Sequence, residues 1–217
     1  MRLAQEWPFT GNNKIANNVN IIKLTSIRVG RSIKIGYSLI TCLALLLVSS
    51  TALTEPNGSS EQEYNVKAAF IYNFSKFIDW PESASEKSTD FNICIVGSNP
   101  FGENTLSAIS TKTTKQKNVK FLNIESVEQL SYCYIAYIDD SKSAFGKDII
   151  HASKHHNVLT ISDQNNFTSN GGAIELFTSN RKVRFKINLA ASKRAQLIIS
   201  SRLLDLAIKV ENREAQQ

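Results

Sequence analysis

Two cysteines are the residues of this chain whose type and surroundings most readily suggest covalent chemistry. Cys94 lies in the apolar run FNICIVG and Cys133 in the apolar run YCYIAYI, and both runs are typical of buried strands. In an oxidising compartment two such thiols tend to pair, whereas elsewhere they act as small buried hydrophobic residues. No CxxC motif and no nearby third or fourth ligand accompanies them, so a metal site is disfavoured while a disulfide and two free thiols both remain open.

A glycine-containing turn offers a second possible chemistry. The turn GSNPFG, residues 97–102, follows a predicted strand and precedes a predicted helix, as phosphate-binding loops do. It lacks the third glycine and the Lys-Ser/Thr pair of those loops, so a tight turn is the simpler interpretation. Asp139 and Asp140 follow another predicted strand, where α/β enzymes place acidic groups, although solvated turn residues explain them more simply.

Three histidines fall on one predicted helix. His151 and His155 are spaced one helical turn apart, as zinc ligands can be, and His156 follows directly. No HExxH motif accompanies them, and a solvated helix end accounts for all three. The sequence also lacks the GxSxG motif of a nucleophilic serine. We therefore predict no catalytic residues, no cofactor and no metal.

The basic residues of the chain are concentrated in two segments. The 25 lysines and arginines exceed the 19 aspartates and glutamates, but residues 1–34 hold six bases against one acid and the remainder is nearly neutral. A nearly neutral body lacks the uncompensated cations on which a general nucleic-acid binder depends. The second segment, residues 176–204, holds seven bases and no acid.

That second segment predicts a partner-binding surface, for which we select Arg184, Lys186 and Arg194. Its partner would be an acidic protein domain or anionic membrane headgroups. The solvated faces of a hairpin and of a helix would give the same pattern, so that interpretation also remains open.

The N-terminal segment has the layout of a secretory signal. An uncharged apolar run at 35–48 follows basic residues, and the small residues Ser50 and Ala52 fit cleavage after residue 52. We therefore predict a leader at 1–52 and a single exported domain at 53–217. An uncleaved membrane anchor is the alternative, since about 20 apolar residues span a bilayer. Residues 1–27 are polar and rich in asparagine, which suggests a translation start assigned too far upstream.

Helical and strand-like patterns alternate along the predicted domain. The predicted helices cover residues 62–79, 101–110, 126–131, 142–156 and 188–209. The predicted strands cover residues 91–97, 119–124, 134–138, 157–161, 173–178 and 182–187. This alternation predicts an α/β fold of three layers, with a mostly parallel sheet, helices on both faces and a C-terminal antiparallel hairpin.

Several blocks of the sequence resemble the YfiR-like family. They are KAAFIYNFSKFIDWP at 67–81, CIVG at 94–97 with PFG at 100–102, VLTISD at 158–163, and VRFKINLAA at 183–191. The resemblance spans residues 64–210, nearly the whole predicted domain. Each block alone would be weak, but their number and order are specific.

The resemblance implies a periplasmic, homodimeric regulator without catalytic activity. Such a protein binds the periplasmic sensor domain of an inner-membrane diguanylate cyclase and holds it inactive, which lowers cyclic-di-GMP and biofilm formation. In the family an outer-membrane lipoprotein can sequester the inhibitor, and cysteine oxidation tunes it. A small exported hydrolase or nucleotide-binding protein that uses the 97–102 turn is the alternative, and a structural or adhesive module is a third.

The resemblance also bears on the cysteines. Cys94 and Cys133 match the first cysteine pair of the family, which implies that they form a disulfide. The second pair of the family is missing, because Thr168 and Glu175 stand at about those positions. Redox behaviour and stability therefore need not transfer from the family.

Overall fold

The structure, a computed structural model, describes residues 58–212. The predicted leader at 1–52, with its signal segment and cleavage site, lies outside the described residues. Within the described part, no helix is both long enough and apolar enough to cross a membrane.

The helices are α1 (Gly58–Phe77), α2 (Glu103–Ser110), α3 (Ser143–Ser153), α4 (Leu189–Arg194) and α5 (Ser201–Leu206). The strands are β1 (Ile78–Asp79), β2 (Phe91–Val96), β3 (Thr113–Thr114), β4 (Lys117–Ile124), β5 (Ile135–Ile138), β6 (Leu159–Ser162), β7 (Ile174–Ser179), β8 (Lys182–Asn188), β9 (Ile198–Ile199) and β10 (Lys209–Glu211). Short 3₁₀ helices cover Glu82–Ala84, Val127–Tyr132 and Asp140–Lys142.

Eight strands form one sheet in the order β10-β8-β7-β6-β5-β2-β4-β3. The pairs that join β4, β2, β5, β6 and β7 are parallel, and β10 lies parallel to β8. Strands β7 and β8 form an antiparallel hairpin, and β3 folds back antiparallel to β4. A separate antiparallel pair joins β1 to β9. The predicted mostly parallel sheet with a C-terminal hairpin is therefore confirmed.

Alternation of side chains along the strands divides the core into two layers. Ile93 of β2 points to the side covered by α1 and packs in one apolar cluster with Phe74. Its neighbour Cys94 points to the opposite side and packs in a second cluster with Ile149 of α3. We call these two sides of the sheet the α1 face and the α3 face. Helices on both faces give the predicted three layers.

Helix α1 forms because buried apolar residues recur three to four positions apart. Ala68, Ile71 and Phe74 are almost fully buried, and each faces the sheet. The predicted helix extended to residue 79, but α1 ends at Phe77 because the next two residues pair with β9. Pro81 then keeps the chain from returning to helix.

The hairpin turn is tighter than the sequence suggested. Only Asn180 and Arg181 lie between the two strands, with φ angles of 52° and 59°. Two successive positive φ angles are the signature of a type I′ turn, whose twist matches that of the flanking strands. The turn fixes the register, which places Ser179 opposite Lys182 and Glu175 opposite Lys186.

The prediction of one final helix over 188–209 is wrong. Asn188 caps a helix at the predicted starting point, and its side chain accepts hydrogen bonds from the backbone of Ala190 and Ala191. That helix, α4, ends at Arg194, and Gln196 then adopts a φ of 57°. The chain turns there because β9 pairs with β1, a contact between segments far apart in sequence. Tertiary pairing overrides the local helical preference.

Two other helix boundaries differ from the prediction. The short helix expected at 126–131 is a 3₁₀ helix at Val127–Tyr132, held at its start by a capping box between Ser126 and Gln129. The helix expected at 142–156 ends at Ser153, before Asn157 takes a φ of 48°. The strand that follows consequently begins later than expected.

Candidate functional site

A disulfide joins Cys94 of β2 to Cys133 at the entry to β5, as the family resemblance implies. The two Cα atoms are 5.9 Å apart, and both residues are fully buried in the apolar cluster of the α3 face. In the chain-entropy model, a link between residues 39 positions apart stabilises the fold by about 4 kcal/mol. We call this apolar cluster beneath α3 the disulfide half of the α3 face. A covalent bond and apolar contacts together exclude solvent from it.

A partly buried lysine, Lys87, lies against this half. The Nζ atom of Lys87 donates hydrogen bonds to the carbonyl oxygens of Cys133, at 2.9 Å, and Asn157, at 3.3 Å, and also to that of His156. Burial lowers the pKa of Lys87 to about 8. The loop after Pro81 is therefore tied to the backbone of a disulfide-bonded residue.

The other half of the α3 face is polar and basic. Because Phe185 and Ile187 pack on the α1 face, the alternating residues Lys182, Arg184 and Lys186 point to the α3 face. Lys209 of β10 lies beside Lys186 in the neighbouring strand. We call these four side chains the basic face. Among the described residues, no side chain of β7, β8 or β10 belongs to the apolar cluster beneath α3.

The four cations of the basic face differ in how far their charge is neutralised. The Nζ of Lys186 lies 2.7 Å from Oε1 of Glu175, and that of Lys209 lies 2.6 Å from Oε1 of Glu211. Both carboxylates are buried and neutralise the charge of these two lysines, although the side chain of Lys209, on the edge strand β10, is itself 53% exposed. Lys182 and Arg184 are exposed, and in the described part of the chain no carboxylate pairs with either one.

Lys186 is therefore less available than the alternating sequence pattern predicted. Its side chain is 28% exposed, and its ammonium lies 5.2 Å from the centre of the Phe177 ring as well as against Glu175. By contrast, Arg184 lies opposite Phe177 in the register and extends into solvent. Arg184 is the better placed of the two to meet a partner.

Arg194 does not share this face. It ends helix α4, and Ala191 within that helix and Ala195 directly after it pack in the apolar cluster of the α1 face. The structure thus separates two groups of bases that the sequence analysis joined in one surface. A partner-binding role for Arg184, Lys186 and Arg194 stays a prediction.

Thr168 and Glu175, at about the positions for which the resemblance implies a second cysteine pair, are in direct contact. The backbone N and the Oγ1 of Thr168 donate to Oε2 of Glu175 at 3.3 and 3.2 Å. Both residues are almost fully buried. A buried polar contact therefore joins the loop before β7 to β7 itself.

The 97–102 turn and Asp139 meet at the C-terminal ends of β2 and β5, where the strand order reverses. In doubly wound sheets this is the usual ligand site. Here the space is filled by the chain itself: the Oγ of Ser141 accepts a hydrogen bond from the backbone N of Ser98 at 3.0 Å. A Cβ on Gly97, whose φ is 96°, would lie only 2.8 Å from that Oγ. These contacts support the tight-turn interpretation.

A cluster that the sequence analysis missed ties α1 to the end of β6. Lys67 lies 2.7 Å from Glu63 and 2.6 Å from Asp163, and the hydroxyl of Tyr137 donates to Asp163 at 2.9 Å. Burial opposes the charged form of Lys67, but hydrogen bonds to Asp163 and Glu63 outweigh it and raise its pKa. Burial, together with the charge of Asp163, raises the pKa of Tyr137. Both raised pKa values keep Lys67 charged and the Tyr137 hydroxyl protonated at neutral pH. The cluster is therefore a structural link between α1 and the end of β6.

The histidines lie on and just after α3. The ring centres of His151 and His155 are 6.5 Å apart, and both residues are exposed. Within residues 58–212, no group of three or more histidine, cysteine, aspartate or glutamate side chains is arranged to hold a metal ion.

Comparison with protein families identifies the family of this chain. A sequence model described as YfiR/HmsC-like matches residues 64–208, about two thirds of the chain. The chain belongs to the YfiR/HmsC-like family. Its members are periplasmic regulators of diguanylate cyclase signalling and not enzymes. A search of curated proteins found no match.

The matched region contains most of the structural features described above. It runs from α1 to the end of α5 and so contains the disulfide, the Thr168–Glu175 contact and strand β8. A regulatory protein requires a surface for a partner, and three of the four residues of the basic face, all but Lys209, lie within this region.

Proposed function

We propose that this protein is a periplasmic inhibitor of a membrane-bound diguanylate cyclase. It binds the periplasmic sensor domain of the cyclase, or of a related inner-membrane sensor, and thereby lowers cyclic-di-GMP and biofilm formation. The match to the YfiR/HmsC-like family over residues 64–208 carries this proposal. The family assignment likewise supports export to the periplasm through the N-terminal signal.

Inhibition by binding needs no chemistry from this chain. A protein that binds the inactive form of a cyclase more tightly than the active form shifts the population toward the inactive form. To move the equilibrium from one form largely to the other takes a preference of about 10⁴-fold. Complementary charge supplies specificity for such a partner and speeds the encounter.

The basic face is the surface that we assign to the cyclase. Arg184 and Lys182 offer cations whose charge is not neutralised within the described chain, and an acidic patch on the sensor domain would complement them. Lys186 contributes from a fixed position beside Glu175, and Arg194 makes a separate contact from α4. Cys94 and Cys133 support this surface from the neighbouring half of the same sheet face.

We also propose that the protein forms a homodimer and that an outer-membrane lipoprotein can sequester it, as the family resemblance implies. Exposed apolar side chains near the C-terminus favour self-association. They are Ile198, Leu206, Ile208 and Val210, each more than 40% exposed.

The proposal is tested by adding the purified protein to detergent-solubilised host membranes and measuring cyclic-di-GMP formed from GTP. The wild type should slow the reaction. Arg184→Glu should require about 30-fold more protein for the same effect, since charge reversal at an interface arginine costs about 2 kcal/mol or more.

Lys112→Glu is the matched control, because Lys112 is exposed on the chain that leads into β3, away from the basic face. It should inhibit like the wild type. Equal loss of inhibition in both variants would point to net charge and would remove Arg184 from the proposed surface. No inhibition by the wild type would contradict the proposed function.

A further inference from the structure

Residues 82–90 lead into β2 and cross the N-terminal ends of β5 and β6. We call this segment the strap. Ala84 anchors it, because this residue is fully buried in the apolar cluster of the α1 face. The backbone N of Ala84 and that of Ser85 each donate a hydrogen bond to the carbonyl oxygen three residues earlier, at 2.9 and 2.8 Å. The strap therefore has a defined backbone whose opening is measurable.

Two side chains of the sheet hold the strap by its backbone. The hydroxyl of Tyr134, in the chain that enters β5, donates to the carbonyl oxygens of Ala84 at 2.9 Å and Ser85 at 3.4 Å. The Nζ of Lys117, in β4, donates to the carbonyl oxygen of Ser85 at 2.9 Å and also to that of Ser88. These contacts join the strap to two strands without any carboxylate.

The contact in the other direction is made by Lys87 of the strap. Its Nζ donates to the carbonyl oxygens of Cys133, His156 and Asn157, which precede β5 and β6. In the described part of the chain, no carboxylate pairs with this ammonium. Carbonyl dipoles alone thus stabilise a charge that is partly removed from water. A second positive charge nearby raises the free energy of this arrangement.

His156 is the residue that can supply the second charge. Its own carbonyl oxygen accepts from Lys87, and its side chain is partly buried. Burial first, and then the positive charges of Lys87 and His155, lower the pKa of His156 below its usual value of 6.5. The closed strap therefore favours the neutral form of this imidazole.

The other titratable groups around this pair do not compensate it. Lys117 and Lys87 lie 5.8 and 5.5 Å from the centre of the Tyr134 ring, so a further cation is close by. Asp90, at the end of the strap, is paired with Lys120 at 2.5 Å. The two other acids of the strap are exposed: Glu82 and Glu86.

We propose that the strap opens in acid, when protonation of His156 places a second positive charge beside the ammonium of Lys87. This inference goes beyond the proposed function and does not rest on it. Opening takes the carbonyl acceptors away from the Tyr134 hydroxyl and brings that ring toward solvent. In an exported protein, the surface at the N-terminal ends of the strands would then depend on the acidity of the surroundings.

The direction of the pH dependence follows from linkage. A histidine whose pKa is lower in the closed strap than in the open one binds its proton more readily when the strap opens. Opening is therefore favoured as the pH falls through the usual histidine range, and the strap stays closed above it. The pKa of Lys87 is about 8, so its ammonium is charged throughout that acidic range.

The test is backbone amide hydrogen exchange on the purified protein at about pH 7.5 and about pH 5, on either side of the usual histidine pKa. Rates are compared as protection factors, which remove the direct effect of pH on exchange. In the wild type, protection at the amides of Ala84 and Ser85 should fall by about fivefold or more in acid, while the amides of β5 keep theirs.

Three variants locate the origin of the response. His156→Gln removes the titrating ring, so its strap protection should differ by less than about twofold between the two pH values. Lys87→Met removes the cation that a protonated His156 would meet, so its acid response should be smaller than that of the wild type. His151→Gln is the matched control, because His151 is an exposed histidine of α3, and it should respond as the wild type does.

Equal protection of the wild-type strap at both pH values would overturn the proposal. An undiminished response in His156→Gln would do the same, as would an equal loss of protection in β5, which indicates unfolding of the domain. Should His156→Gln not fold, Lys87→Met decides, and a response as large as that of the wild type counts against the proposal. No partner enters these measurements, so their outcome is separate from the proposed inhibition of the cyclase.

Discussion

The two halves of the α3 face are built from opposite kinds of contact on one continuous sheet. The disulfide half holds Cys94, Cys133 and the apolar side chains under α3, and it is closed to solvent. The other half, formed by β7, β8 and β10, is here called the hairpin half. It holds Glu175 and Lys186, paired at 2.7 Å, with Arg184 exposed beside them. The first half gives rigidity and the second gives charge.

This division shows how a small fold can keep a charged surface in a defined geometry. Cations on a mobile segment would lose entropy on meeting a partner. Here the strands that carry the cations are hydrogen-bonded to a sheet whose other half is locked covalently. The buried carboxylates of Glu175 and Glu211 neutralise Lys186 and Lys209. The exposed cations of Lys182 and Arg184 are left for recognition.

Removal of the covalent link should have the largest effect on stability. The double variant Cys94→Ala, Cys133→Ala should lose about 4 kcal/mol of unfolding free energy under oxidising conditions, measured by urea denaturation. With a reductant present, wild type and variant should unfold at nearly the same urea concentration. A loss below about 1 kcal/mol would show that apolar packing alone closes the disulfide half.

Breaking the ion pair of the hairpin half should have a smaller effect. Glu175→Leu leaves Lys186 and the donors of Thr168 without their acceptor, at a cost of about 2 to 3 kcal/mol, because Lys186 can still reach water. Lys186→Met alone should cost about as much, because it leaves the buried carboxylate of Glu175 with only the donors of Thr168. Combining the two substitutions should recover part of the loss, which a double-mutant cycle measures. Strict additivity would mean that the pair contributes no coupling.

The effect over one pH unit is smallest for Lys87, a partly buried lysine bonded to the disulfide half. The pKa of Lys87 is lowered from 10.5 to about 8, so between these values the unfolded chain binds more protons than the folded one. Stability should therefore rise with pH above about 8, by at most about 1.4 kcal/mol per pH unit. Urea unfolding of wild type and Lys87→Met at several alkaline pH values gives the difference due to this residue. Parallel pH curves for the two proteins would contradict the assignment.

Much of the fold could be predicted from local patterns. The alternation of Lys182, Arg184 and Lys186 with apolar residues predicts the hairpin, and the order of helices and strands predicts the parallel sheet. The pair Glu175–Lys186 was also within reach, because a two-residue turn at Asn180-Arg181 sets that register. The strands predicted at 173–178 and 182–187 leave a turn that is one residue longer. The pairing of Glu175 with Lys186 was therefore not predicted.

Other features depend on contacts that no local pattern records. The prediction of a single long C-terminal helix failed because β9 pairs with β1, and these segments lie near opposite ends of the described chain. Asp163 meets Lys67 for the same kind of reason, although the spacing of Glu63 and Lys67 by one helical turn was visible. The alternating pattern of β8 likewise predicts an exposed, free cation at Lys186. The buried carboxylate of Glu175, on the neighbouring strand, neutralises that cation.

The central claim is that this protein restrains a diguanylate cyclase through Arg184 and the face around it. The most direct test is the cyclic-di-GMP content of host cells that lack the gene and then carry the wild type, Arg184→Glu or Lys112→Glu. We expect the content to rise in the deletion, to return to its original level with the wild type and with Lys112→Glu, and to stay high with Arg184→Glu. An unchanged content in the deletion strain would contradict the account.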